Sequence, residues 1–170
     1  MLRLRSLRPS DEDMFRRACR AMEPDGFDFA LGLEESDDFG SYLARLERER
    51  LAIELTADRV ASTYLVAEVD GEIVGRISIR HRLNDRLAAV GGHIGYGVLP
   101  AHRRRGYGAE ILRQGLDHAR ALGLEGVLLT TNSSNVASRR VIGTCGGVDQ
   151  STPTDRAVGI RRYRIDLVDR

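Results

Sequence analysis

Glycines and arginines cluster in one stretch of this sequence, Val98-Leu-Pro-Ala-His-Arg-Arg-Arg-Gly-Tyr-Gly108. An apolar run with several glycines precedes it, and an amphipathic helical pattern from Ala109 to Leu122 follows it. Gly106 and Gly108 allow unusual backbone dihedrals and the close approach of a ligand. The first amides of a helix have no partner within the helix and lie at the positive end of its dipole. The stretch therefore predicts a phosphate or pyrophosphate site; a plain strand–helix connection with solvated arginines is the alternative.

Two common phosphate-binding motifs do not fit this stretch. The 26 basic residues are all arginine, which excludes the Gly-Lys-Ser/Thr ending of a P-loop and also lysine Schiff-base chemistry. The dinucleotide fingerprint needs a third glycine at position 111, where the sequence has Ile111. What remains is the pattern Arg103-x-x-Gly106-x-Gly108.

This pattern resembles the Arg/Gln-x-x-Gly-x-Gly/Ala motif of the GCN5-related N-acetyltransferase (GNAT) superfamily. The stretches 92–108 and 135–142 further resemble a little-characterised bacterial branch of it. The resemblance is strong over residues 60–147 and rests on element order elsewhere. It implies an α+β fold (α/β three-layer), with a mixed, mostly antiparallel central sheet, a splayed parallel strand pair and flanking helices. A single acyl-CoA N-acyltransferase domain is expected over residues 1–170.

The resemblance also implies an activity, which is transfer of the acetyl group of acetyl-CoA to a primary amine. The loop amides are expected to bind the pyrophosphate of acetyl-CoA, and amides near Gly97 and Val98 to stabilise charge on the thioester carbonyl. An acyl-CoA-binding module that has lost catalysis is the alternative. The residues expected to contact the cofactor are Tyr96, Gly97, Val98, Arg103, Arg104, Arg105, Gly106, Tyr107, Gly108, Ala109, Asn135 and Ser138.

Removal of a proton from the acceptor amine requires a base. Many relatives carry a glutamate on the strand before the motif, at a position that corresponds to Gly92 or His93. Because glycine cannot carry a proton, His93 is the expected catalytic base, with an ordinary pKa of ~6.5. A structural histidine bonded inside the sheet and a water chain are the alternatives.

Other candidate residues lie around this centre. Many relatives protonate the leaving thiolate with a tyrosine seven residues after the equivalent of Asn135, but here that residue is Ile142. Tyr96 and Tyr107 are the nearby hydroxyls. His81 and Asn84 are candidates for the acceptor pocket, with an exposed histidine and a turn-forming asparagine as the alternative.

Composition limits the remaining classes of function. The net charge is +1 over 170 residues, so no general attraction to nucleic acid is expected. No apolar run reaches the length of a membrane-spanning helix, and the start lacks a signal-peptide pattern. Two cysteines give too few ligands for zinc, so no metal is expected. We expect a cytoplasmic protein without nucleic-acid or membrane partners; a homodimer is left open.

Hydrophobic periodicity predicts the elements that position these residues. The first helix is expected from an N-cap at Ser10 to about Met22, and the residues expected to face inward are Met14, Ala18, Ala21 and Met22. Asp70-Gly71 predicts a hairpin turn, and Asn135 an N-cap. Strands are predicted over 2–7, 63–69, 73–82, 90–98, 126–131 and 158–167, and further helices over 39–55, 109–122 and 135–145.

The segment from Glu23 to Asp38 contains seven acidic residues and no basic residue. Such a local excess of negative charge would attract a cationic acceptor. A solvated loop is the alternative.

Overall fold

The computed structural model describes residues 1–56 and 58–168. The strands in this part of the chain are β1 (Arg3–Arg5), β2 (Ser62–Val69), β3 (Glu72–Arg80), β4 (Ile94–Val98), β5 (Gly126–Asn132), β6 (Val148–Asp149) and β7 (Ile160–Asp166). The helices are α1 (Glu12–Met22), α2 (Phe39–Arg50), α3 (Asp85–Ala89), α4 (Tyr107–Ala121), α5 (Val136–Thr144) and α6 (Pro153–Ala157).

The strands form two antiparallel sheets, in the orders β1-β2-β3-β4 and β5-β7-β6. At the predicted hairpin between β2 and β3, Asp70 and Gly71 have φ angles of 51° and 85°. Within the described residues the two sheets are joined by an isolated antiparallel bridge between Gly92 and Leu129 rather than by a continuous ladder. Beyond this bridge β4 and β5 separate. The predicted α+β fold with mostly antiparallel strands and flanking helices is confirmed, but the described residues form no parallel ladder between β4 and β5, and the bridge between the sheets is antiparallel.

Helices cover both faces of the first sheet. On one face, Ile77 and Ile79 of β3 join a core that includes Ile111 and Leu112 of α4. Gly115 lets α4 approach closely, because a Cβ there would lie 2.2 Å from Cδ1 of Ile77. Burying such apolar side chains stabilises the fold by about 1.5–3 kcal/mol each.

The opposite face is covered by α1, α2 and the segment between them. Phe15 is fully buried there and its ring lies 5.6–6.1 Å, centroid to centroid, from four other aromatic rings. The prediction for α1 was partly wrong, because Ala21 is exposed and Phe15 is the main buried side chain. Ser10 is not the N-cap, since a short 3-10 turn over Pro9–Asp11 precedes the helix.

Several other elements also differ from the sequence prediction. Helix α2 ends at Arg50 instead of residue 55, and β4 begins only at Ile94 because Gly91 and Gly92 have positive φ angles. The connection before β4 contains α3, and the turn at Pro153 is the short helix α6. None of the helices in the described ranges is long and apolar enough to span a membrane.

Candidate active site

The gap between β4 and β5 exposes backbone groups of β4. Antiparallel pairing alternates along a strand, and the Leu99 amide bonds the Val74 carbonyl while the Arg80 amide bonds the His93 carbonyl. The same alternation directs the amide of Gly97 toward β3. It directs the amides of Tyr96 and Val98 into the gap. Of the two amides expected to stabilise charge, that of Val98 is available and that of Gly97 is not.

His93 joins the two sheets at the closed end of this gap. Its backbone amide donates to the Leu128 carbonyl at 2.7 Å, and its ring Nδ1 accepts from the Leu128 amide at 2.9 Å. A neutral imidazole has one acceptor nitrogen, so the proton must sit on Nε2. The geometry therefore does not fit the predicted catalytic base, because the lone pair that would take a proton is already engaged.

The surroundings of His93 keep it neutral. Burial, followed by the charges of Arg80 and Arg164, lowers its pKa below the ordinary value. Gly92 before it has φ +64°, and a Cβ there would lie 2.2 Å from the Leu128 carbonyl oxygen. The close approach of β5 thus requires glycine at the position where one pattern of relatives has its carboxylate.

The predicted anion site forms the turn before α4. Among the described residues, the consecutive backbone amides of Arg104, Arg105, Gly106, Tyr107 and Gly108 donate no hydrogen bond. Gly106, the N-cap, has φ +81° and no side-chain cap, and a Cβ there would meet open space. The turn therefore presents five free N–H groups at the positive end of a 15-residue helix.

The three arginines of the turn differ in their partners. Arg103 pairs with Asp25, and its Nε donates to the Val98 carbonyl at 3.1 Å. Arg104 and Arg105 are exposed and form no ion pair with any described residue. Arg103 thus connects the turn to the acidic segment, while Arg104 and Arg105 are free to contact an anion.

Two predicted contact glycines have structural reasons for lacking a side chain. A Cβ at Gly97 would lie 2.8 Å from the ring of Phe27, which packs over this strand. A Cβ at Gly108 would lie 3.3 Å from Val141 of α5. Gly97 therefore admits Phe27, and Gly108 admits the close packing of α4 and α5.

The residues predicted for the acceptor pocket lie beside a cavity but do not line it. His81 Nε2 is 2.8 Å from the Thr63 hydroxyl, and Asn84 caps α3 through the Leu87 amide. The cavity, of about 270 Å³, lies over β2 and β3, with Ser78 and Arg80 among its lining residues.

Arginines from other elements contact the acidic segment and pair with two of its carboxylates. Asp25 pairs with Arg103 and Glu35 pairs with Arg20, while Arg16 donates to backbone carbonyls of the segment. Asp38 caps α2 through the Ser41 amide. The predicted electrostatic attraction of a cationic acceptor to this segment therefore has little structural support.

Arg76 is a buried cation that the sequence reasoning missed. It is 3% exposed and donates to the carbonyls of Asp28, Phe29 and Gly95 at 2.8–3.2 Å. Its guanidinium also lies 4.4 Å from the centroid of the Phe27 ring. Arg76 thus fastens the segment between α1 and α2 onto β4. A charged residue inside an apolar strand pattern was the available signal.

A family model described as acetyltransferase (GNAT) family matches residues 27–146. The chain belongs to the GNAT acetyltransferase family. No curated protein sequence matches this chain. Solved GNAT-like structures match over nearly its whole length, at identities low enough that they speak for the fold only.

Three of these structures illustrate the likeness. The putative acetyltransferase yncA from Salmonella typhimurium, solved with its cofactor acetyl-CoA, is 20% identical, with a TM-score of 0.68 over 99% of this chain and 95% of that one. RimJ from Mycobacterium smegmatis, in complex with CoA-disulfide, is 21% identical, with a TM-score of 0.71 over 97% and 81%. Spermidine N-acetyltransferase from Vibrio cholerae, in complex with CoA and spermine, is 17% identical, with a TM-score of 0.64 over 98% and 95%.

The second stretch that resembles the GNAT superfamily, residues 135–142, forms the start of α5. Asn135 caps α5 by accepting from the Ser138 amide at 3.0 Å. The Tyr96 hydroxyl lies 3.2 Å from Ser138 Oγ. Ile142 is 1% exposed within the core, so no acidic group acts from that position. The hydroxyls of Tyr96 and Ser138 therefore meet between β4 and α5. Among the described residues no cluster of three or more metal-binding side chains occurs.

Proposed function

We propose that this protein is an acetyl-CoA-dependent N-acetyltransferase that acts on a primary amine. The observation that carries the proposal is the row of five free amides from Arg104 to Gly108, which begins just beyond β4 and its unpaired edge. Acetyl-CoA has a pyrophosphate and an extended pantetheine arm. The free amides suit the pyrophosphate. The gap between β4 and β5 suits the pantetheine arm, because extended chains pair with free strand edges.

Different residues around the gap contribute to the binding of the acetyl-CoA donor in different ways. Arg104 and Arg105 add positive charge beside the amides at the helix start. Ser138 of α5 lies beside the Tyr96 hydroxyl of β4, Asn135 caps α5, and Tyr107 and Ala109 belong to the first turn of α4. Arg103 acts indirectly, because its pairing with Asp25 holds the turn in place.

The amides of Tyr96 and Val98 are positioned to bind the thioester carbonyl oxygen. Donors fixed in advance stabilise the negative charge that develops there during attack by the amine. Because Nδ1 of His93 accepts from the Leu128 amide, the proton of the amine leaves through water. His93 instead fixes the distance between β4 and β5 at the end of the gap.

Tyr96 is the proposed proton donor to the leaving thiolate. Burial raises the pKa of Tyr96 to about 12, so the hydroxyl keeps its proton near neutral pH. Its contact with Ser138 directs the hydroxyl across the space between β4 and α5. In this arrangement Tyr96 performs the role that Ile142 cannot.

The buried Ile142 and the engaged His93 also favour a second candidate, an acyl-CoA-binding module without transferase activity. The two differ in one measurement. The enzyme releases free CoA thiol from acetyl-CoA when a suitable amine is present, whereas the module binds CoA and releases no thiol. Cytoplasmic localisation and the oligomeric state stay predictions.

The donor site is tested by two matched glycine variants. Gly106 and Gly123 lie near opposite ends of α4, both have φ +81°, and at both a Cβ would meet open space. Alanine at either site should cost a similar ~1–2 kcal/mol of backbone strain. Only Gly106→Ala should weaken CoA binding, by about tenfold or more in calorimetry. Equal CoA affinity in the two variants would contradict the assignment.

A further inference from the structure

The cavity over β2 and β3 has a polar floor, which lies one strand away from the unpaired edge of β4. Ser62 of β2 and Ser78 and Arg80 of β3 belong to its lining, and Arg86 of α3 stands beside them. Ser78 pairs in register with Gly95 of β4. A cavity of about 270 Å³ lies near the lower end of the ~300–1,000 Å³ typical of ligand pockets, which suits a small molecule.

Three side chains at this cavity have hydrogen-bond donors that are unused within the described residues. Arg80 donates through Nη1 to the carbonyls of Gly91 and Gly92, which leaves its Nε and Nη2 without partners. The Arg86 guanidinium forms neither a hydrogen bond nor an ion pair there. The Ser78 hydroxyl is buried, with the residue 1% exposed, and has no partner. Of these side chains only Ser78 is buried, and because a buried polar group normally has a partner, a ligand is the expected partner of its hydroxyl.

The charges around the cavity favour an anion. Glu49 is engaged by Arg45 and Arg59, so these three groups largely neutralise one another. Asp58 accepts from the Thr56 hydroxyl and is the remaining carboxylate among the lining residues. Against it stand Arg80 and Arg86. The balance is therefore positive, and the planar guanidinium matches a carboxylate well.

We propose that this cavity is the acceptor pocket and that it takes a small amino acid, whose carboxylate binds Arg80, Arg86 and Ser78. The inference rests on the proposed transferase function and names its acceptor class. Because Phe27 covers the face of Gly97, the open space on this side lies over Ser78 and Arg80.

The geometry also lets the amine of such a ligand reach β4. Directly paired residues of an antiparallel ladder have Cα atoms ~5.5 Å apart, which applies to Ser78 and Gly95. Tyr96, whose amide faces the gap, follows Gly95 in the chain. A ligand with its carboxylate at Ser78 therefore lies one strand away from the edge of β4 whose amides face the gap.

The test compares amines that differ only by a carboxylate, namely L-leucine against isoamylamine and L-phenylalanine against phenethylamine. The wild-type protein should acetylate the amino acid of each pair with at least ~10-fold higher kcat/KM, the size expected for a hydrogen-bonded charged group. Equal kcat/KM within each pair would overturn the proposal.

Three variants locate the recognition. Arg86→Gln and Ser78→Ala should each reduce the preference for the amino acid about tenfold through KM, and leave the rate with the decarboxylated amine unchanged. Arg82→Gln is the matched control, since Arg82 is exposed in the same segment but does not line the cavity. A preference that persists unchanged in both pocket variants would also overturn the proposal.

A binding measurement separates this proposal from the transferase function. Calorimetry with the product N-acetyl-L-leucine and with its decarboxylated counterpart N-isoamylacetamide requires no catalysis. Stronger binding of the carboxylate, lost in Arg86→Gln, supports the pocket even if no amine is acetylated. Acetylation of both amines without a difference in product binding leaves the transferase standing and refutes the pocket.

Discussion

Replacing His93 distinguishes a structural connection between the sheets from a catalytic base. Asparagine places a carbonyl oxygen at the same number of bonds from Cβ as Nδ1, so His93→Asn should keep the bond from the Leu128 amide. His93→Leu keeps side-chain bulk but removes the acceptor. An amide left without a partner costs about 1–3 kcal/mol when buried, and this bond is partly buried. We therefore expect a loss of about 1–2 kcal/mol for His93→Leu and a smaller loss for His93→Asn in urea unfolding.

The pH dependence of stability provides a second readout. Burial lowers the pKa of His93 in the folded protein below its unfolded value of ~6.5. Between the two values the unfolded chain binds more protons, so this contribution to stability is present above ~6.5 and is lost as the pH falls toward the folded pKa. His93→Asn should remove this part of the loss. His81→Gln should remove a separate part of the loss, because burial lowers the pKa of His81 too, but it should leave the contact between the sheets intact, since the partner of His81 is Thr63.

Turnover decides between the two roles of His93. A general base contributes ~10²–10⁴-fold to the rate. Since Nδ1 is engaged, we expect His93→Asn to keep kcat within a few-fold of wild type, with an unchanged pH profile. A folded His93→Asn protein that loses ~10²-fold or more in kcat would refute the reasoning and restore the catalytic base.

Three further predictions concern other residues. Arg76→Met should lower the free energy of unfolding by about 2–4 kcal/mol, because three carbonyls each lose one hydrogen bond, and an unchanged free energy of unfolding in urea would contradict this. Tyr96→Phe should lower kcat about 10²-fold with unchanged CoA affinity if its hydroxyl protonates the thiolate, and an unchanged kcat assigns the proton to water. Neutralising four acidic residues of the segment before α2, namely Glu34, Glu35, Asp37 and Asp38, should leave kcat/KM within about twofold of wild type at each ionic strength. A marked fall in kcat/KM would instead support electrostatic attraction of a cationic acceptor.

Local signals in the sequence identified the features that depend on neighbouring residues. The hairpin at Asp70-Gly71 needs only two residues with positive φ, and the cap at Asn135 needs only the amide of Ser138. The glycine turn before α4 is likewise local, because a helix start provides free amides whatever packs around it. These features are present as predicted.

Features that depend on contacts between residues distant in the sequence could not be predicted from the sequence. His93 looks like a base until Leu128, 35 residues later, occupies its Nδ1. Gly97 looks like a ligand contact until Phe27 packs against it. Arg76 occupies an alternate position of β3 that predicts exposure, but the segment between α1 and α2 folds over it. Each outcome is set by tertiary packing, which periodicity does not encode.

Transfer of an isotopically labelled acetyl group tests the central claim most directly. The protein is incubated with labelled acetyl-CoA and the panel of paired amines, and mass spectrometry follows the label while free CoA thiol is measured in parallel. The account predicts labelled N-acetyl product in an amount equal to the thiol released. The amount of product should be strongly reduced in Gly106→Ala and retained in Gly123→Ala. Binding of acetyl-CoA without label on any amine, or release of thiol without acetylated product, would contradict it.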